Sequence, residues 1–166
     1  MQIIRNRRII ESHWWHAPDG ALADSRTTER PGGIVVTLAD WRRRKIALLR
    51  RASPVGVRLG ASDDLDEILD ELDFISLVAL EFDSFTDGRG YTQARRLRER
   101  HGYRGEIRAV GDVSRDSLAF MERCGFDAFE LRTPSALRDA LNAFGEISDV
   151  YQPAADAQPI IASRRA

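Results

Sequence analysis

The stretch "ISLVALEF" (75–82) decides the fold, because it is apolar on both faces, as a buried strand of a parallel sheet is expected to be. Four further β-type runs flank it along the chain: "IVVTL" (34–38), "VGVRL" (55–59), "EIRAV" (106–110) and "DAFEL" (127–131). A helical pattern follows each run, for example Leu65, Ile68, Leu69 and Leu72 at positions i, i+3, i+4 and i+7. This alternation predicts βα units and a parallel sheet.

The other runs are less apolar on one face than on the other. Arg58 alternates with Val57 and Leu59, and Arg108 alternates with Ile107 and Ala109. We therefore predict five parallel βα units that form an open, partial-barrel-like sheet, with the helices outside and a polar concave side. The alternative is a doubly wound, flavodoxin-like sheet whose edge strands tolerate the charges.

The remaining segments suggest the domain organisation. The segment "QIIRNRRIIESHW" alternates around Asn6 and Arg7, which predicts an N-terminal β-hairpin over residues 1–15. A loop over 16–33, a single α/β domain over 34–147 and a flexible tail over 148–166 follow. The predicted helix ends are Thr37 with Asp40 as a capping box, Ser62 and Ser114 as N-caps, and Gly125 as a left-handed stop.

The composition limits the classes of function. The chain has 166 residues, of which 43% are hydrophobic and 31% charged, as in soluble globular proteins. No apolar run approaches the roughly 18–20 residues of a membrane span, and no signal-peptide pattern is present, so we expect a cytoplasmic protein without membrane contact. The basic run "WRRRK" (41–45) lacks an aromatic platform, so we expect no nucleic-acid binding.

Metal and cofactor sites have little support in the sequence. Cys124 is the only cysteine, which excludes an internal disulfide and a Cys-based zinc or iron–sulfur site within one chain. Its position just before Gly125 predicts a buried, inert side chain, with a reactive thiol as the alternative. The run "GRGYTQA" (88–94) matches a dinucleotide fingerprint incompletely, because Gln93 occupies the third-glycine position. We predict no metal and no cofactor.

The longest interval between strands indicates where a site would lie. Successive strand starts are separated by 21, 20, 31 and 21 residues, and the long interval contains "FDSFTDGRGYTQARRLRER" (82–100). Its extra residues follow the carboxyl end of a strand, where parallel α/β sheets bind ligands. Glycine backbone, a helix start and the Arg89 guanidinium together suit a small oxyanion.

The candidate residues are chosen from this loop and from neighbouring strand ends. A general acid or base is expected among Asp83, Asp87 and Asp112. The expected ligand-binding residues are Thr86, Asp87, Gly88, Arg89, Gly90, Gln93 and Arg115. The structural alternative is that Asp87 caps the helix, the glycines permit the turn, and Arg89 pairs with Glu81 or Asp83.

The motifs "FTDGRGY", "LRERHGYRGEIRAVGD" and "RCGFDAFEL" resemble a bacterial family of unknown function. The resemblance is close over residues 82–132 and extends more weakly back to about residue 34. Genes of that family commonly lie beside those for assimilatory sulfite reductase and sulfate activation, and some members are labelled oxidoreductases of sulfite reduction. The resemblance implies a pathway but assigns no catalytic role to any residue.

Three functional hypotheses follow. The first is an accessory protein of assimilatory sulfate or sulfite reduction, which binds a small oxyanion or the sulfite reductase itself. The second is an enzyme acting on a phosphorylated or sulfated small metabolite. The third is a structural homodimer module whose polar sheet face is the interface.

Overall fold

Eight strands form one mixed sheet in the computed structural model, which describes residues 1–20, 31–83, 88–131, 133 and 136–146. The strands are β1 (Gln2–Arg5), β2 (Arg8–Glu11), β3 (Trp14–His16), β4 (Gly33–Thr37), β5 (Val55–Leu59), β6 (Ile75–Phe82), β7 (Glu106–Gly111) and β8 (Ala128–Phe129). The α-helices are α1 (Leu38–Leu49), α2 (Arg89–Glu99), α3 (Leu118–Cys124) and α4 (Ala136–Glu146). Two stretches, Leu65–Phe74 and Arg115–Ser117, are 3₁₀-helices.

The strand order shows which of the two predicted architectures is present. The order is β2-β1-β8-β7-β6-β5-β4-β3, so from β3 to β8 each strand pairs in parallel with its successor along the chain. Every crossover therefore steps in the same direction, and right-handed crossovers then place all helices on one face. A doubly wound sheet would reverse direction and carry helices on both faces. The partial-barrel prediction is confirmed.

The convex face of the sheet carries the main core. Trp41 of α1, Leu97 of α2 and Met121 of α3 are buried in one cluster with outward-facing strand residues such as Val57 and Ile107. These positions fall on the apolar stripe of each helix and on alternate residues of each strand. Burial of the apolar stripes of the helices against the apolar faces of the strands holds the helices on the convex side of the sheet.

The concave face is curled because a short connection joins the two edge strands. A flat sheet of this order would separate β2 from β3 by roughly 34 Å, at about 4.8 Å per strand. Only Ser12 and His13 connect Glu11 to Trp14, and three Cα steps span about 11 Å at most. The edges must therefore approach each other, which gives a curled, open half-barrel.

The N-terminal hairpin is confirmed. Asn6 and Arg7 form its turn with φ values of 49° and 59°, the left-handed values that a tight hairpin turn requires. β1 then pairs antiparallel with β8 and extends the sheet beyond the parallel strands. Trp14–His16 forms a third strand beside β4, which the sequence did not indicate because the run is only three residues long.

Some helix ends match the prediction and others do not. Thr37 caps α1, since its Oγ1 accepts a hydrogen bond from the Asp40 N–H at 3.1 Å. Gly125 ends α3 with φ +111°, the predicted left-handed stop. The Ser62 prediction is wrong: the segment after β5 is a 3₁₀-helix capped by Asp64, whose carboxylate accepts from the Asp66 N–H at 2.9 Å.

The helix predicted after Ser114 is divided in two. A 3₁₀ turn over Arg115–Ser117 precedes α3, and Ser114 is at the N-cap position without a capping hydrogen bond from its side chain. Cys124 is 2% exposed, which confirms that this cysteine is buried. Within the described residues, no helix is both long and apolar enough to cross a membrane.

Candidate functional site

A buried ionic network lies on the concave face of the sheet. The Arg108 side chain is 1% exposed, and its guanidinium contacts Glu106 at 2.6 Å and Glu130 at 2.7 Å. Ser12, in the connection between the edge strands, accepts a further hydrogen bond from Arg108 at 3.2 Å. A charge this deeply buried requires such partners. The predicted polar concave face is therefore present and internally paired.

Glu130 connects this network to the opposite edge of the sheet. Its Oε1 lies 2.9 Å from Nε2 of His16 in β3. Burial pushes the pKa of Glu130 upward, but the hydrogen bonds and charges of His16 and Arg108 outweigh burial and hold that pKa below its ordinary value. Glu130 thus remains an anion inside the curl of the sheet at neutral pH.

A cavity of about 390 Å³ opens at the carboxyl ends of β4, β5 and β6. This is the rim at which parallel α/β sheets place their ligands. The charged side chains that line the cavity are Asp19, Asp40, Arg43, Arg58, Asp63 and Glu81. We call this cavity, together with its lining side chains, the rim cavity.

Arg58 is central to the rim cavity. It points inward from β5, and its side chain is 27% exposed. Its Nη2 donates to Oδ1 of Asp19 at 2.8 Å, and its Nε lies 3.6 Å from Oε2 of Glu81. The Asp19 side chain is 80% exposed, so water competes strongly for this contact. The guanidinium can therefore exchange Asp19 for another anion.

Two of the other carboxylates are anchored to the walls of the rim cavity. Asp40 is 3% exposed in the first turn of α1, and its Oδ2 accepts from the Gly20 N–H at 3.2 Å. Asp63 accepts from the Gly60 N–H at 2.8 Å. These bonds fix the backbone on either side of the opening.

The comparison with protein families gives a single assignment. The sequence pattern of the family described as bacterial protein of unknown function (DUF934) matches residues 56–161, which is more than half of the chain. The chain belongs to DUF934. No curated protein matches it.

The DUF934 match covers only part of the rim cavity. Arg58, Asp63 and Glu81 lie inside the matched region, whereas Asp19 and Asp40 precede it. The DUF934 region therefore contributes the inner pair, Arg58 and Glu81. Asp19, the exposed partner of Arg58, comes from the segment that precedes this region.

The described end of the predicted glycine loop, from Gly88 into α2, is next to the rim cavity. Nη1 of Arg89 donates to the Ala61 carbonyl at 2.6 Å, and the Gln93 amide donates to the Asp63 carbonyl at 3.3 Å. Both side chains thus hold the turn over residues 60–63, which forms one wall of the cavity. Arg89 and Gln93 have a positioning role in this arrangement.

The glycines of this loop differ in their surroundings. Gly90 is buried, and a Cβ atom there would lie 2.6 Å from Cζ of Phe82, so the helix start packs directly on the strand end. Gly88 is the N-cap of α2 and is exposed, and no described residue lies within 4 Å of the corresponding Cβ position. The requirement for glycine at position 90 is therefore close packing.

The structure does not bring the other predicted residues together in the rim cavity. Asp83 is exposed directly after β6, and the Asp112 N–H donates to the Phe82 carbonyl at 2.7 Å, so these two strand ends are neighbours. Arg115 is directed elsewhere, because its Nε lies 3.0 Å from Oδ2 of Asp139 in α4. Thr86 and Asp87 lie outside the described residues, as does the predicted tail.

Sequence reasoning did not include Arg58, Asp19 or Asp40 among the site residues. Arg58 carried a signal, since a charged residue alternates with Val57 and Leu59 on the inner face of a strand near its carboxyl end. Asp19 carried none, because only the tertiary fold brings its loop to β5. Among the described residues, no group of three or more His, Cys, Asp or Glu side chains could hold a metal ion.

Proposed function

We propose that this protein is an accessory protein of assimilatory sulfate or sulfite reduction. It binds a small ligand through an oxyanion group at Arg58, or binds the sulfite reductase itself by the same rim. The observation that carries the binding role is the half-buried Arg58 in a cavity at the carboxyl ends of the parallel strands. The resemblance of residues 82–132 to proteins encoded beside sulfite reductase supports the pathway.

Arg58 suits an oxyanion for geometric and energetic reasons. Its planar guanidinium offers a fork of N–H donors that matches sulfate, sulfite, phosphate and carboxylate oxygens. Arg43 lines the same opening on the α1 side. Within the described residues, its side chain makes no hydrogen bond or ion pair. A ligand that replaces the exposed Asp19 carboxylate would keep Arg58 paired and gain a second cation.

Isothermal titration calorimetry on the full chain tests the binding role. Sulfite, sulfate and adenylyl sulfate are the probes, and binding by at least one of them that is lost in Arg58→Gln is expected. The matched control is Arg104→Gln, an exposed arginine in the turn before β7, at the opposite end of the strands. Equal binding by the wild type and Arg58→Gln would reject the rim cavity as the site.

The reductase part of the proposal needs its own measurement. Biolayer interferometry with immobilised sulfite reductase is expected to give saturable binding that Arg58→Gln weakens. Absence of binding to the reductase and to all three anions would reject the proposed function as a whole.

A further inference from the structure

The charge balance of the rim cavity restricts its ligand further than an oxyanion group alone. The lining carries four carboxylates against two guanidinium groups. A dianion such as sulfate would add two negative charges to a site that is already negative, and like charges at close range repel each other. A ligand that also carries a positive charge would therefore match this lining better than one that brings negative charge alone.

Glu81 is the carboxylate with an unused capacity to accept hydrogen bonds. It points inward from the end of β6, and its side chain is 33% exposed. Within the described part of the chain, its polar contact is the 3.6 Å approach to Arg58, which is longer than a hydrogen bond. By contrast, Asp40 and Asp63 each already accept a backbone N–H.

The spacing of Arg58 and Glu81 sets the distance between the charges of a complementary ligand. Nε of Arg58 and Oε2 of Glu81 lie 3.6 Å apart, so a ligand whose anion and cation are separated by only a few bonds can contact both side chains. An α-amino acid carries its carboxylate and ammonium on the same carbon atom, whereas a longer amino acid separates them. The cavity volume of about 390 Å³ lies within the usual range for small-ligand sites.

We infer that the rim cavity binds an α-amino acid zwitterion, with its carboxylate on Arg58 in place of Asp19 and its ammonium on Glu81. This inference rests on the proposed binding role of Arg58 and names the ligand class of that same site. The ammonium donates three N–H groups, which suits Glu81 together with Asp63, a second carboxylate in the same lining.

A matched ligand series tests the inference on the unmodified full chain. L-alanine, L-lactate, ethylamine and sodium sulfate are titrated by calorimetry. L-lactate replaces the ammonium with a hydroxyl, and ethylamine lacks the carboxylate, so both are expected to bind at least about tenfold more weakly than L-alanine, a difference of about 1.4 kcal/mol. L-cysteine and L-serine extend the series to larger side chains.

Two variants then assign the contacts. In Glu81→Gln, the preference for L-alanine over L-lactate is expected to disappear, and in Arg58→Gln, binding of L-alanine is expected to be lost. Thermal melting checks that both variants fold, and the series on the wild type decides the question if either does not.

The outcomes separate this inference from the proposed function. If sulfate binds through Arg58 and no amino acid does, the zwitterion is rejected while the anion-binding role stands. If L-alanine and L-lactate bind equally, Glu81 has no role and the inference is also rejected. If none of these ligands binds, the zwitterion is rejected, and the proposed function is then decided by the measurements with sulfite, adenylyl sulfate and the reductase.

Discussion

Nε2 of His16 lies 2.9 Å from Oε1 of Glu130, although four strands separate β3 from β8 in the sheet. In a flat sheet the two strands would be roughly 24 Å apart, at about 4.8 Å per strand. The contact is possible only because the sheet curls, and it connects the polar inner face across the half-barrel. The free energy that the contact between His16 and Glu130 contributes to folding therefore depends on the curl of the sheet.

Glu130→Gln is expected to destabilise the protein by about 2 kcal/mol at pH 7, because it removes the negative charge that the buried Arg108 contacts and that lies beside His16. The folded state holds the pKa of Glu130 below its ordinary value of 4.5. The contribution is therefore complete above that value and is lost as the pH falls through the lower folded pKa. Urea unfolding of both proteins between pH 7 and pH 3 measures the difference.

The control for this measurement is Glu99→Gln. Glu99 pairs with Arg95 at 3.6 Å on the exposed side of α2, and its side chain is 50% exposed. Such a pair contributes little, so a change of less than about 0.5 kcal/mol is expected. A Glu130→Gln deficit that grew as the pH fell from about 4.5 to 3 would contradict the assigned direction of the pKa shift of Glu130.

Arg108→Met is expected to cost about 3–5 kcal/mol, because it leaves the buried carboxylates of Glu106 and Glu130 without their shared cation. Urea unfolding at pH 7 measures the loss. Arg104→Met removes an exposed arginine and is expected to change stability by less than about 0.5 kcal/mol. Equal stability of the two variants would mean that the inner network does not contribute to folding.

The sequence predicted this polar inner face but not how it is closed. Arg58 and Arg108 alternate with apolar residues, and a period of two is enough to place them on one face. Closure depends on Trp14–His16, a strand too short to show a period, whose partner β4 begins 17 residues later at Gly33. Pairing at that separation is decided by the tertiary fold.

Gly90→Ala is expected to destabilise the protein by about 1–3 kcal/mol, because the added methyl group would meet the Phe82 ring at 2.6 Å. Gly88→Ala is the matched control two residues earlier, where no described atom lies within 4 Å of the added Cβ, and a change within about 0.5 kcal/mol is expected at this exposed position. Thermal melting of both variants compares them directly. A tolerated alanine at position 90 would show that the packing of α2 on β6 can relax.

The sequence prediction and the structure indicate the same rim, but they share only some residues. The long interval after β6 pointed to the rim at which the rim cavity lies, and Arg89 and Gln93 contact a wall of that cavity. The predicted residues favoured the loop because glycine and arginine next to a helix start form a recognisable local pattern. Arg58 and Asp19 meet across 39 residues of sequence, and no local pattern connects them.

Asp19→Asn is expected to strengthen the binding of an anionic group at Arg58 by about tenfold or less, because the ligand no longer displaces a charged partner. The effect should be largest at low ionic strength, since the competing contact is exposed and screened by salt. Calorimetry with sulfate and with L-alanine at two salt concentrations measures it. The control is Asp73→Asn, an exposed carboxylate at the opposite end of the strands, which should leave affinity unchanged. Weaker binding in Asp19→Asn than in the wild type would show that Asp19 contacts the ligand and does not compete with it.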